Sequence, residues 1–208
     1  MTTSTDGTLG PDFEEPEVVV VDLEDRELGT ERKTAAHRSP GVLHRAVSVF
    51  VFDGDRRLLL QRRAGSKYHF AGLWSNTCCT HPEPGESPVE AGERRLAEEL
   101  GFTCRLESVG SFVYRAEDDG SGLVEHEFDH VLRGTYDGEV APEPAEVDDV
   151  RSVTVDDLQR EMLERPAEFT PWLTAALGVL LDARVHDPGT VGVAAAPAEA
   201  SSITGERA

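Results

Sequence analysis

The chain has 208 residues, 38% of them hydrophobic, and a formal net charge of −20. That length suits one domain with tails, and the charge argues against nucleic acid and anionic membranes as partners. No apolar run approaches the ~20 residues of a membrane span; the N-terminus has no secretory pattern, and three cysteines, an odd count, fit a reduced cytoplasmic protein.

Residues 1–16 are polar, acidic and Gly/Pro-bearing and read as a disordered tail. Residues 17–22, with four consecutive valines, predict a strand, and so do residues 43–53. Gly54 and Asp55 supply turn chemistry, and 57–62 is expected to return as the partner of a hairpin. A shorter strand is predicted over 73–79. Residues 88–100 predict a helix, with Ser87 as N-cap, Pro88 at the first position, Glu90 completing a capping box and Gly101 as the stop. Val89, Leu96 and Leu100 give it one apolar stripe. Residues 103–116 and 123–134 read as strands around a turn at 118–122, and 150–153 adds an edge strand. Helices follow at 154–163 and 171–184, with Thr154 and Thr170 as N-caps. From 187 the chain turns Ala/Pro/Gly-rich, a second disordered tail, which leaves 17–186 as the domain. Strands and helices in this irregular order imply an α/β fold, a mixed β-sheet flanked by helices.

The chemistry is densest between Asn76 and Phe102. On an extended segment Cys79 and His81 share a face, and Cys78 turns to the opposite layer as a small buried hydrophobe. The helix after them carries Glu98 and Glu99, which can hold a divalent cation over a phosphate. The plainer reading is a solvated helix face laced by Arg94–Glu98 and Arg95–Glu99 pairs. Period two puts Glu125 and Glu127 on one face and His126 on the other. Two carboxylates side by side repel unless a cation or a proton lies between them. His37 and His44 flank a Pro40-Gly41 turn able to fold both rings to one point. Three imidazoles and two carboxylates suit Zn, Mn or Fe(II) rather than Ca, although each alone is more often solvated surface. His69, His130 and His186 read as ordinary surface or loop residues. Only two of the 20 basic residues are lysines, Lys33 and Lys67. In a chain so biased to arginine, lysine survives where a compact charge on a flexible stem is needed, as at phosphate; codon bias is the alternative.

Thr80, Glu86, Arg94, Arg95, Leu96, Glu98, Glu99, Gly101 and Phe102 stand at the spacing of the Nudix box, which this segment resembles in degenerate form. Thr80 replaces its first glycine, and Arg95 replaces a metal-binding glutamate. One oxygen ligand is lost and a cation gained, which suits holding a diphosphate without cleaving it. Thr34-Ala-Ala-His37, Arg62-Arg63-Ala-Gly-Ser-Lys67, Gly72-Leu-Trp74-Ser-Asn76, Cys79-Thr-His81-Pro82, Tyr114-Arg115-Ala116, Glu125-His-Glu127 and Phe169-Thr-Pro-Trp172 extend the likeness. From about residue 17 to 184 the chain resembles the type I isopentenyl-diphosphate delta-isomerases, a branch of the Nudix fold.

The resemblance implies that His37, His44, His81, Glu125 and Glu127 bind one Mn2+ or Zn2+. It implies that Glu99 and the backbone carbonyl of Cys79 bind Mg2+ shared with the substrate. Lys33, Arg63, Lys67 and Arg95 match the diphosphate-binding cations, Cys79 and Glu127 the catalytic pair, Tyr114 an assisting hydroxyl and Trp172 an aromatic wall. The implied reaction moves a double bond between isopentenyl and dimethylallyl diphosphate, a small-molecule substrate; the chain itself is expected to be a monomer. A Nudix diphosphate hydrolase is the alternative, disfavoured by Arg95. A non-catalytic diphosphate-binding module would have no use for Cys79 opposite Glu127.

Overall fold

A strand apolar on both faces has to be covered on both sides, and His44–Phe52 is such a strand, buried along nearly all its length. The computed structural model describes residues 15–67 and 69–185. Among them the strands are β1 (Glu17–Val21), β2 (Glu27–Arg32), β3 (His44–Phe52), β4 (Leu58–Arg63), β5 (Trp74–Ser75), β6 (Cys78–Thr80), β7 (Glu107–Glu117), β8 (Val124–Thr135) and β9 (Val147–Val153). The helices are α1 (Lys33–Ala36), α2 (Pro88–Leu100), α3 (Val155–Glu164) and α4 (Leu173–Val185), with a 3-10 turn at Pro166–Glu168. The expected tails at 1–16 and 187–208 lie outside the described residues, apart from Glu15 and Pro16.

β3 is the spine of one mixed sheet. It runs parallel to β8 from His44 beside Glu127 to Phe52 beside Thr135. Its other edge is shared along its length by β1 at His44, β6 at Val47–Val49 and β4 at Phe52. β7 lies antiparallel outside β8, and β9 antiparallel on β4. Alternation along β3 feeds two cores. Val47, Val49 and Val51 join Cys78, Leu96 and Leu100 under α2. Phe50 and Phe52 join Leu58, Leu158, Leu173 and Leu180 under α3 and α4.

The expected hairpin of β3 and β4 holds only at its turn, where Phe52 faces Leu58, and then splays. Thr77 fills the fork. Its hydroxyl accepts from Val51 N at 2.8 Å and donates to the Leu59 carbonyl at 2.7 Å. The strand predicted over 73–79 is therefore two, β5 on β4 and β6 on β3, with Asn76 and Thr77 crossing between them. Three other boundaries move by two residues or more: β7 begins at Glu107, β9 starts earlier at Val147, and α4 starts at Leu173. Thr170 does not cap α4 by its hydroxyl, which lies 3.1 Å from that of Ser75. β2 had no signal because it is exposed along almost its whole length.

α2 forms as its caps dictate. Ser87 Oγ accepts from Glu90 N, Glu90 accepts from Ser87 N, and Gly101 closes the helix at φ 73°. Gly92 lets it lie close on the sheet: a Cβ there would stand 2.8 Å from Leu106 Cδ1 and 2.9 Å from Leu132 Cδ1. Gly92→Val should therefore destabilise the fold by about 2 kcal/mol or more, because overpacking outweighs any gain in helix propensity. Urea unfolding of the two proteins checks this, and an unchanged midpoint would refute the close packing.

Candidate active site

The site lies where β3 and β8 begin, on the sheet face opposite α2. Register makes His44 the neighbour of Glu127, and period two adds Glu125. α1 and the loop after it deliver His37, and Gly41, at φ 84°, lets that loop press onto β8, where a Cβ would meet Val124 Cγ1 at 2.6 Å. β6 carries His81 in just beyond its end. Ring centroids of His37, His44 and His81 stand 4.7 to 5.3 Å apart. One ligand atom from each of His37, His44, His81, Glu125 and Glu127 falls within 4.8 Å of all the others.

Hydrogen bonds fix which nitrogens face inward. A carbonyl oxygen can only accept, so His37 Nδ1 donates to Lys33 O at 2.6 Å and His44 Nδ1 to Val42 O at 2.8 Å. In the neutral form of each ring Nε2 is then the lone-pair acceptor; burial favours that form in His37, but the Glu125 carboxylate outweighs it and raises the ring above its ordinary value. Both Nε2 atoms are buried with no hydrogen-bond partner, as is Glu125 Oε2. Yet His37 Nε2 lies 2.9 Å from Glu125 Oε2, and His44 Nε2 lies 3.6 Å from Glu127 Oε1. Acceptors crowded in this way call for a cation between them, and a nitrogen–oxygen set with its outer nitrogens tied to carbonyls fits a divalent transition metal. Burial, then the charge of Lys33, holds His81 down to about 3, so its ring is neutral.

Cys79 faces Ser48, its register partner on β3, and Cys78 faces the α2 core, as period two required. Burial, with the Asp129 carboxylate behind it, pushes the Cys79 thiol up to about 12. The thiol donates to Asn76 Oδ1 at 3.2 Å. That oxygen also accepts from Ser75 Oγ at 3.0 Å and from Trp172 Nε1 at 3.2 Å. Asn76 Nδ2 in turn binds the carbonyls of Val49 and Cys78, so its amide has one orientation. Glu127 is divided: Oε1 meets His81 Nε2 at 2.8 Å, and Oε2 accepts from the Tyr114 hydroxyl. Burial, then Glu127, holds the Tyr114 phenol well above its ordinary value.

Lys33, Arg63, Lys67 and Arg95 come together on a cleft of about 230 Å³ that Cys79, Tyr114, Glu127 and Trp172 also line. Four cations thus converge in an otherwise acidic chain, beside the carboxylates Glu125, Glu127 and Asp129 of the same lining. Burial lowers Lys67 to about 8. Glu99 is almost fully buried behind it, accepting from Gln61 Nε2 at 3.0 Å, with Arg95 at 2.7 Å and Lys67 at 3.5 Å. Arg94 does form the plain helix-face pair with Glu98, at 3.3 Å, but its shorter contact is Glu86 at 2.8 Å.

Several neighbours have places in the site that the sequence reading missed. Glu146 bridges Lys67 and Arg95 from the turn just before β9. Asp129, one period beyond Glu127, accepts from Ser48 Oγ at 2.7 Å, and its alternation was legible. His69, expected at the surface, is only 7% exposed and lies against Glu125 Oε1; nothing in its loop sequence predicts this. His130 pairs with Asp25 at 3.0 Å away from the site, and His186 lies outside the described residues. Among the described residues no helix is long and apolar enough to cross a membrane.

The NUDIX domain family matches residues 42–173. A crystal structure of a Deinococcus radiodurans protein superposes with a TM-score of 0.63 at 19% identity, covering 78% of this chain and 98% of that one. A MutT protein from Methanosarcina mazei does so at 0.55 and 17%, covering 70% and 96%. The chain therefore belongs to the Nudix family, with its mixed sheet and flanking helices. Isopentenyl-diphosphate Delta-isomerase 2 of Aromatoleum aromaticum is 49% identical over 170 residues, 82% of this chain and 89% of the relative. The isopentenyl-diphosphate Delta-isomerase of Halorhodospira halophila is 51% identical over 156 residues, 74% and 89%. Within the Nudix family, the chain is a member of the isopentenyl-diphosphate Delta-isomerases.

Proposed function

We propose that this chain interconverts isopentenyl and dimethylallyl diphosphate by a 1,3-allylic proton shift. The observation that carries the reading is a single cleft lined together by a half-buried thiol, Cys79, a carboxylate, Glu127, and the indole of Trp172. An unactivated alkene is a weak base, so one group must add a proton to the terminal carbon while another removes one next to the C–O carbon. The shift is reversible, and each group acts as acid in one direction and base in the other. Tyr114, hydrogen-bonded to Glu127 Oε2, relays or steadies that proton. The indole face attracts the developing tertiary cation, by roughly 2 kcal/mol or more when desolvated. The buried walls keep out water that would trap it.

Lys33, Arg63, Lys67 and Arg95 hold the diphosphate, and Glu146 yields Lys67 and Arg95 to it on binding. Mn2+ or Zn2+ would be held by His37, His44, His81, Glu125 and Glu127, and Mg2+ by Glu99 and the Cys79 carbonyl. When bound, the first fixes the Glu127 carboxylate and tunes its acidity, and the second neutralises phosphate charge. All these groups come from one chain, so the reading needs no second subunit at the site. Hydrolysis is disfavoured because Arg95 stands where the hydrolase box has a glutamate. Proton NMR of isopentenyl diphosphate incubated with the protein, Mg2+ and Mn2+ should reveal the allylic isomer. Released phosphate would instead make the chain a hydrolase, and unchanged substrate would make it a binding module.

A further inference from the structure

The two oxygens of Glu125 have different surroundings. Oε1 is taken by His69 Nε2. Oε2 is buried, has no hydrogen-bond partner and points at His37 Nε2, 2.9 Å away. A donor fixed on one carboxylate oxygen leaves the other as a directed, single-oxygen ligand, and such outer partners set a metal ligand's orientation. We infer that His69 is a positioning residue of the five-residue centre, whose N–H holds Glu125 by Oε1 and turns Oε2 to the ion. The inference rests on the reading that His37, His44, His81, Glu125 and Glu127 hold a divalent metal.

His69 is not on a strand, so something must hold it in place. Its imidazole packs between His37 and Phe70, with ring centroids at 5.9 and 5.7 Å. Its carbonyl accepts from Arg63 Nη2 and that of Phe70 from Arg63 Nε, both at 3.2 Å. Phe70 N donates to Asp118 Oδ2 at 3.3 Å from the turn between β7 and β8. Phe70 itself sits at φ 47°, which a bulky residue adopts only when its surroundings enforce it. Its ring meets Trp172 edge-on at 5.4 Å, and the Arg63 guanidinium lies over the same indole at 5.6 Å. One short segment thus fixes the aim of Glu125 and joins it to a clamp cation and the aromatic wall.

The test titrates metal-stripped protein with Co2+ against a chromophoric chelator, without substrate. His69→Ala should weaken metal binding by about 10–100-fold, the usual cost of losing such an outer partner. His69→Gln, whose amide N–H can reach the same oxygen, should recover most of that loss. His37→Ala, which removes a ligand, is the control. Wild-type affinity in His69→Ala beside a loss in His37→Ala overturns the role of His69 and leaves the metal centre standing. Equal weakening in the alanine and glutamine variants also overturns it. A wild-type protein with no tight site removes both readings together. Circular dichroism melts accompany each variant, and if His69→Ala does not fold, His69→Leu replaces it as the donor-free form.

Discussion

Replacing Cys79 by alanine should lower turnover by about 10²–10⁴-fold or more, with fold and metal content near wild type. Cys78→Ala should do the reverse, costing stability on the order of 1 kcal/mol and little turnover. The two thiols are adjacent, and only strand geometry separates them. Cys78 is fully buried among Val47, Val49 and Leu96 in the α2 core. Cys79 opens on the cleft, held by Asn76 and set across from Ser48. Its thiol keeps its proton through neutral pH, because burial raises it to about 12. Cys79→Ser should retain a trace of activity, since a hydroxyl fills the same place but is a weaker acid. A substrate analogue with an epoxide in place of the alkene should label Cys79 alone. Equal losses in both alanine variants, or label on Cys78, would overturn the assignment.

Glu127→Gln should be comparably severe, with kcat down about 10²–10⁴-fold and bound transition metal reduced. The carboxylate serves two neighbours at once, His81 on Oε1 and Tyr114 on Oε2. An amide keeps the shape but can neither take up a proton nor bring a charge to the five-residue cluster. Steady-state kinetics with metal analysis checks this. Retention of kcat within tenfold of wild type would remove Glu127 from the proton transfer. Tyr114→Phe should fall between the wild type and this variant, because it removes only the partner of one oxygen.

Much of this was legible in the chain, and the physical reasons are particular. β3 and α2 were readable because burial on two faces and a capping box leave strong local patterns. The five-residue cluster was readable because period two and one turn are enough to gather it. β2 was invisible because an exposed strand buries nothing to pattern. The break between β5 and β6 was hidden because Asn76 and Thr77 replace ladder bonds with side-chain bonds, which propensity does not register. Glu146 and His69 reach the site from the turn before β9 and from a loop, and only tertiary packing brings them there.

The parallel pairing of β3 with β8 has one more consequence. Antiparallel neighbours can zip outward from a short turn, but parallel ones must find each other across intervening chain. Such non-local pairings form slowly because loop closure comes before any contact rewards it. His44 and Glu127 meet only through that pairing. A chain with its helices formed and its first hairpin closed would still lack an assembled acid–base pair and ion site. Competence therefore has to wait until two segments far apart in the chain, at His44 and at Glu127, have joined.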